Sequence, residues 1–412
     1  MDYKEIHPVS QLSGSVAISG AKNSALLILS AVVLLNKPVL LNRIPDISDV
    51  RKMCDILNML NIKVRWMGHD ALLIDPSEVR FKGLMAEVCG EIRTSVLFLG
   101  VLLGKFGQAK LRMPGGCQLG PRPINFHISA METMGAKITQ EGVYVSGTLI
   151  APHQSSIVSF KRSTVTGTAN AILCAVSLPH PVLIQGAALE PEIDDLINFL
   201  VQAGARIKRE GQNICVEGGQ PLETQSYRVM PDRIEAGTFL IAGAILGGEV
   251  TVADIIPQHL LAVIEALKQS GADIEVGEQS ISLKMSSPPK PVSITAREYP
   301  HFPTDLQPQW CVLSLVSEGE STIEDRVFPE RFDHMDELEK IGARYTKSAH
   351  GVTIQGGVKL SGGEMYAANL RSAAALVLGA LSARSSSKVV RISVLNRGYP
   401  SFFLKINNIL TN

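Results

Sequence analysis

Six stretches of the chain are apolar nearly all the way round and rich in small residues: 24–35, 94–104, 168–178, 236–246, 308–316 and 372–383. A helix with no polar face is predicted to be buried. Between these stretches a second pattern recurs. A helix-like segment closes on a Gly-Ala pair and passes into a strand, at Gly135-Ala136, Gly204-Ala205, Gly271-Ala272 and Gly342-Ala343, with a degenerate copy at Asn61-Ile62. The copies are spaced by 67 to 74 residues. A period of that length marks a repeated supersecondary unit. Glycine at this point predicts a left-handed helix end, and short hairpins are expected after it, as over 136–145 and 272–283. A sixth copy falls where the chain stops.

Together the two patterns predict an α/β protein of six repeated units, with helices inside and sheets outside, divided into two domains of three. An ordinary doubly wound sheet is the competing architecture. It lacks support, because no GxGxxG follows a strand.

Composition narrows the function. Of 412 residues, 45% are apolar and 19% charged, as in a globular protein with a full core. Aromatics are only 5%, which argues against a stacking platform for single-stranded nucleic acid. Lys plus Arg and Asp plus Glu both number 39, so no bulk attraction to nucleic acid or membrane is expected, and any anion site must be a local cluster. Residues 1–10 do not read as a signal peptide, and the longest apolar run, 25–35, is too short to span a bilayer; a cytoplasmic protein is expected. The six cysteines show no CxxC pair, so neither a disulfide framework nor a structural metal is expected. Cys54, Cys174 and Cys311 read as core fillers.

Charged and polar residues gather where strands give way to helices. Lys22-Asn23, Arg93, Thr166-Gly167-Thr168, Asp232-Arg233, Thr304-Asp305 and Asn369-Leu370-Arg371 open the buried helices. Cys117 with Arg122, Glu190 with Glu192, Arg331, and Arg397 mark the second junction. Equivalent junctions in a repeat collect at one end of each domain, so two facing ends would make a cation-lined cleft suited to phosphates and carboxylates. The competing reading pairs such arginines with acids like Glu330 or Asp333 on the surface. Cys117 lies in Pro114-Gly115-Gly116-Cys117-Gln118-Leu119-Gly120-Pro121-Arg122-Pro123, which predicts an exposed loop; Arg112 and Arg122 would favour its thiolate. Asp305 is the best candidate base, with Pro303 and Thr304 fixing the turn and capping the helix; alternatively Asp305 is only a cap.

These residues resemble the UDP-N-acetylglucosamine enolpyruvyltransferase (1-carboxyvinyltransferase) family over nearly the whole chain. The likeness is carried by SGAKNSA at 19–25, PGGCQLGPRP at 114–123, LEPEIDD at 189–195, PDRIEAGTF at 231–239, FPTDLQ at 302–307, RF at 331–332, NLRSAAALV at 369–377 and NRGYP at 396–400. The Gly-Cys loop separates this family from the shikimate-type transferases. The resemblance implies the enolpyruvyl transferase fold, a two-domain inside-out α/β barrel of six βαβαββ-like units. The domains are expected over 20–230 and over 1–19 with 231–412, the active site lying in the cleft between them. It implies transfer of enolpyruvyl from phosphoenolpyruvate to the 3-hydroxyl of UDP-N-acetylglucosamine with release of phosphate, the first committed step of peptidoglycan synthesis, with no metal or organic cofactor.

By the same resemblance, Lys22, Arg122 and Arg397 grip phosphoenolpyruvate, with Arg331 and Arg371 nearby, and Asn369 counts with them among the substrate-binding residues. Asn23, Arg93, Arg122, Pro123, Ile124, Asn125, Phe126, Ser163, Thr164, Val165, Thr166, Asp305 and Val327 contact the nucleotide sugar. Cys117 matches the loop cysteine that serves as acid, and Asp305 the carboxylate beside the attacking hydroxyl. Some positions depart from the family. Ser48 stands where a lysine is usual, and Asn125, Asn369 and Asn396 where aspartates are; Thr164-Val165-Thr166-Gly167 varies the nucleotide loop, and the last repeat ends early. The amide of Asn369 cannot act as a base. Two other readings therefore stand beside the transferase: a paralogue acting on another nucleotide or nucleotide sugar, and a non-catalytic UDP-sugar-binding regulator.

Overall fold

All four glycines of the repeated Gly-Ala pair take up a left-handed backbone, with φ of +93° at Gly135, +108° at Gly204, +98° at Gly271 and +106° at Gly342. Asn61, in the degenerate copy, does the same at +62°, a region asparagine enters more readily than other side-chain-bearing residues. Each of these reversals ends a helix and starts a strand, as from Leu261–Gln269 into Asp273–Val276.

The computed structural model describes residues 2–113, 124–150 and 155–410. They form two compact units, one of residues up to Ser19 and from Pro231 onward, the other of the described residues between Gly20 and Met230. Each unit has its own apolar core and three sheets.

In the Gly20–Met230 unit, Val39–Asn42 runs parallel to Ser226–Arg228 and antiparallel to Ala71–Asp75, which forms a hairpin with Lys63–Trp66. The sheet of Ser156–Ser159, Val182–Gln185, Asn213–Glu217 and Arg206–Glu210 repeats this order. In the third sheet the first strand shrinks to a single parallel bridge, Leu84 with Leu111. The other unit contains the same βαβαββ order twice, led by Leu12–Ala17 and Ile294–Ala296.

The sixth repeat explains its early end. Glu364–Tyr366 runs parallel to Ser387–Val390, but the antiparallel neighbour of Ser387–Val390 is Tyr3–Ile6 from the start of the chain. The missing hairpin is replaced by an N-terminal strand.

The helices Lys22–Ala31, Phe98–Phe106, Val165–Ala175, Arg233–Leu246, Gln307–Val316 and Leu370–Leu381 are buried along most of their length, which makes the fold inside-out. Small residues allow this packing. A Cβ on Gly100 would lie 2.4 Å from the backbone oxygen of Asn170, while the Gly100 N–H donates to Asn170 Oδ1 at 2.8 Å. Three boundaries differ from the pattern: 3-10 turns at Arg93–Leu97 and Thr304–Leu306 precede the second and fifth buried helices, and the first helix stops at Ala31 with a 3-10 turn at Val32–Leu34. Among the described residues no helix is long and apolar enough to cross a membrane.

Candidate functional site

In the unit of residues 2–19 and 231–410, three junctions of the repeat converge on one carboxylate. Asp305 lies in the 3-10 turn that opens the helix Gln307–Val316. The edge-to-face rings of Phe302 and Trp310, centroids 5.1 Å apart, pin that turn. Arg331 precedes the helix Asp333–Glu339, and Arg371 sits in the first turn of Leu370–Leu381. Arg331 Nη1 donates to Asp305 Oδ1 at 2.8 Å, and Arg371 Nη2 donates to Oδ2 at 2.8 Å. Both guanidinium side chains are only 5% exposed, against 24% for Asp305. Burial alone would push the Asp305 carboxyl up, but Arg371 and Arg331 override it and hold it well below the usual carboxylate range.

The surroundings fix these partners. The Arg371 guanidinium lies 5.4 Å from the centroid of Tyr399, and the Tyr399 hydroxyl is within hydrogen-bond distance of Thr238 Oγ1 (2.9 Å) and Gln309 Nε2 (3.1 Å). Among the described residues the buried Arg331 Nε has no hydrogen-bond partner. Beside it, His334 stacks on Phe332; burial, then the Arg331 charge, pushes its pKa down to about 3, so the ring is neutral.

Thr304 does not cap the helix, as the sequence led us to expect. Its hydroxyl donates to Asp325 and also lies 3.2 Å from Arg331 Nη1. Asp325 Oδ1 accepts the N–H groups of Val327 and Phe328 at 2.8 and 2.7 Å, so the Val327 backbone is tied to the Asp305 turn through Thr304. Asp305 is an ion-pair partner and not merely a cap, and Arg331 pairs with it rather than with Glu330 or Asp333.

Asn369 caps the helix Leu370–Leu381. Its Oδ1 accepts from the N–H groups of Arg371 and Ser372, both at 3.0 Å, and its own N–H donates to Ser372 Oγ at 3.0 Å. Its Nδ2 donates to Asp333 at 3.0 and 3.3 Å. Arg397 ends the 3-10 helix Ile392–Arg397 and is partly buried. Gly398 behind it packs so closely on Leu370 that a Cβ there would lie 2.5 Å from Leu370 Cδ2.

In the Gly20–Met230 unit, Lys22 starts a buried helix and pairs with the buried Asp49 at 2.8 Å; Asn23 follows it, partly exposed. Asp49 comes from the start of the helix Ser48–Met59, so Ser48 stands beside the counter-ion of Lys22. Thr164 caps the helix Val165–Ala175 by accepting from the Gly167 N–H at 3.2 Å, with Ser163 just outside it. Ile124 is buried, whereas Asn125 and Phe126 are exposed at the start of Asn125–Thr133, with Phe126 edge-on to Phe160.

His127 joins these pieces. Its Nδ1 lies 2.9 Å from Asn170 Nδ2, and its Nε2 lies 3.4 Å from Thr166 Oγ1. Asn170 Oδ1 already accepts from Gly100, so its amide nitrogen donates to Nδ1 and the ring proton sits on Nε2. Burial, then the charge of Arg93, pushes His127 down to about 3. Cys117, Arg122 and Pro123 lie outside the described residues.

The buried thiols of Cys54, Cys174 and Cys311 are pushed up by burial, the first two to about 12, as core fillers should be. Sequence reasoning missed His127, Asp49 and Tyr399, and knew Asp333 only as a surface acid. Asp49 and Asp333 both sit in the first turn of a second-junction helix, a signal that the repeat itself offered.

The EPSP synthase family profile (3-phosphoshikimate 1-carboxyvinyltransferase) matches residues 6–406, so the class is that of the enolpyruvyl transferases. The fold agrees: the enolpyruvyl transferase NikO from Streptomyces tendae superposes with a TM-score of 0.89 at 22% identity, covering 99% of this chain and 97% of the other. An EPSP synthase from Acinetobacter baumannii gives 0.77 at 18%, covering 98% of each. Curated relatives resolve the class further. UDP-N-acetylglucosamine 1-carboxyvinyltransferases of Wolinella succinogenes and Chlorobaculum parvum are both 38% identical, covering 97% and 96% of this chain and 96% and 94% of theirs. The chain belongs to the UDP-N-acetylglucosamine 1-carboxyvinyltransferase family.

Proposed function

We propose that the protein transfers enolpyruvyl from phosphoenolpyruvate to the 3-hydroxyl of UDP-N-acetylglucosamine and releases inorganic phosphate, the first committed step of peptidoglycan synthesis, in the cytoplasm. The observation that carries this reading is the Asp305 carboxylate held ionised between Arg331 and Arg371. Relatives spanning nearly the whole chain bear the standard name, which favours this acceptor over a divergent one or a binding-only role. The two compact units are taken as its two domains.

The chemistry adds an alcohol oxygen to C2 of phosphoenolpyruvate, protonates C3, and eliminates phosphate from the tetrahedral intermediate. It needs a proton donor, a proton acceptor and cations around a multiply charged intermediate. Cys117 is the donor and Asp305 the acceptor. Lys22, Arg122 and Arg397 hold phosphoenolpyruvate, with Arg331 and Arg371 close to it. The nucleotide sugar is read by Asn23, Arg93, the stretch Arg122 to Phe126, the stretch Ser163 to Thr166, and Val327.

A carboxylate clamped by two guanidiniums is a weak base. An anionic substrate that engages Arg331 and Arg371 loosens their hold, so binding raises the proton affinity of Asp305 at the moment the hydroxyl arrives. His127, neutral and donating from Nε2 toward Thr166, keeps the nucleotide stretch in place. The test is the mass of the acceptor after incubation with both substrates. A UDP-N-acetylglucosamine heavier by one enolpyruvyl group supports the reading; unchanged acceptor beside a folded protein counts against it.

A further inference from the structure

The carboxylate nearest to Asn369 belongs to Asp333. Asn369 Oδ1 is committed to the N–H groups of Arg371 and Ser372, so its amide nitrogen must face the other way, and there it meets both oxygens of Asp333 at 3.0 and 3.3 Å. An aspartate at 369 could cap the helix equally well, but its second oxygen would then stand about one hydrogen-bond length from an ionised Asp333. Two carboxylates at that separation cannot both ionise freely. Positions 333 and 369 therefore form a set that accepts one acid and one amide.

We propose that in this chain Asp333 supplies the carboxylate that the family likeness places at residue 369, and that it acts as a positioning residue for Arg371 and Asp305 through Asn369. The line of contacts is continuous. Asp333 orients the Asn369 amide, the amide oxygen holds the backbone of Arg371, and the Arg371 guanidinium holds Asp305 Oδ2 at 2.8 Å. Burial pushes the Asp333 carboxyl up, while the charge of Arg331 from its own segment and the Asn369 amide and Ser372 hydroxyl from the capped helix pull it the other way. On the adjacent strand, Glu364 is engaged by Lys388. The inference rests on the proposed transferase reaction.

The experiment compares full-length wild type with Asp333→Asn, Asn369→Asp and the double variant Asp333→Asn/Asn369→Asp. It measures kcat, KM for each substrate and melting temperature between pH 5.5 and 8.5. Asp333→Asn is close to isosteric and is expected to lower kcat roughly ten- to hundred-fold with little change in KM, the scale of a small misplacement of reacting groups. Asn369→Asp is expected to lose at least as much, and increasingly as pH rises, because its second carboxylate must ionise against the first. The double variant, with one acid and one amide again, is expected to regain most of kcat and the wild-type pH profile. A double variant no faster than the slower single variant, or Asp333→Asn with wild-type kcat, overturns the proposal. If wild type makes no product, the transferase reading falls by itself and the melting temperatures still decide. Recovery in the double variant supports the acid–amide set, and simple additivity of the two single effects overturns it.

Discussion

Arg371 and Asp305 stand at corresponding junctions of successive repeats, and the Arg371 Nη2 donates to Asp305 Oδ2 at 2.8 Å. With Arg331 on the other oxygen, the carboxylate is shared by two nearly buried cations. Removing its charge leaves both cations without their shared anion. Asp305→Asn is therefore expected to cost about 3 kcal/mol of stability, as for a broken buried pair, and roughly 10²–10⁴ in turnover. Urea unfolding and steady-state kinetics check the two parts separately.

The same pair sets an acid limit. A carboxylate held below its unfolded value of about 3.9 contributes stability that is present above that pH and lost as pH falls toward the folded value. The stability gap between wild type and Asp305→Asn is expected to be flat from pH 5 to 8 and to shrink below pH 4. A gap that persists unchanged to pH 2.5 would show that the charge on Asp305 is not what stabilises the turn.

His127 acts in a different window. Its folded pKa of about 3 lies below an unfolded value of about 6.5, so the stability it contributes is present above pH 6.5 and lost as pH falls toward 3. Protonation would also set Nδ1–H against the Asn170 amide donor. Replacing His127 by Gln is expected to reduce the pH slope of stability between 6.5 and 4.5 by about one proton's worth, at most about 1.4 kcal/mol per pH unit. An unchanged slope contradicts the neutral, clamped ring.

Thiol labelling separates Cys117 from the rest of the chain. The described cysteines Cys54, Cys89, Cys174 and Cys311 are buried, and burial pushes their thiols up, Cys89 to about 11. Only Cys215 among the described cysteines is exposed. An epoxide phosphonate such as fosfomycin is expected to add once, at Cys117, giving one adduct in the intact mass that survives Cys215→Ser and disappears in Cys117→Ser. An adduct that maps to Cys215, or none, contradicts an activated loop thiol.

The repeat was legible because its physics is local. A glycine forced to positive φ after a helix writes itself into the sequence at Gly135, Gly204, Gly271 and Gly342, and an all-round apolar helix does the same. The replacement of the sixth hairpin by Tyr3–Ile6 was not legible, since no local signal ties that strand to Ser387–Val390, more than 380 residues away. The site divided in the same way. Asp305, Arg331 and Arg371 were visible as charges at junctions, whereas the Asp333–Asn369 contact depends on how two helix starts face each other in three dimensions.

The local rule has its own test. A Cβ at Gly271 would meet nothing within 4 Å, so the cost of a side chain there is conformational alone. Gly271→Ala is expected to cost about 1–2 kcal/mol. Gly271→Asn is expected to cost less, as Asn61 in the equivalent place implies. Equal costs in thermal melts would contradict that reading.

The central claim is the reaction itself, and phosphate release from phosphoenolpyruvate tests it most directly. The account predicts that wild type releases phosphate only when UDP-N-acetylglucosamine is present, and that Asp305→Asn slows the release by roughly 10²–10⁴. Release that ignores the acceptor, or none from a wild type that melts as a folded protein, would contradict it.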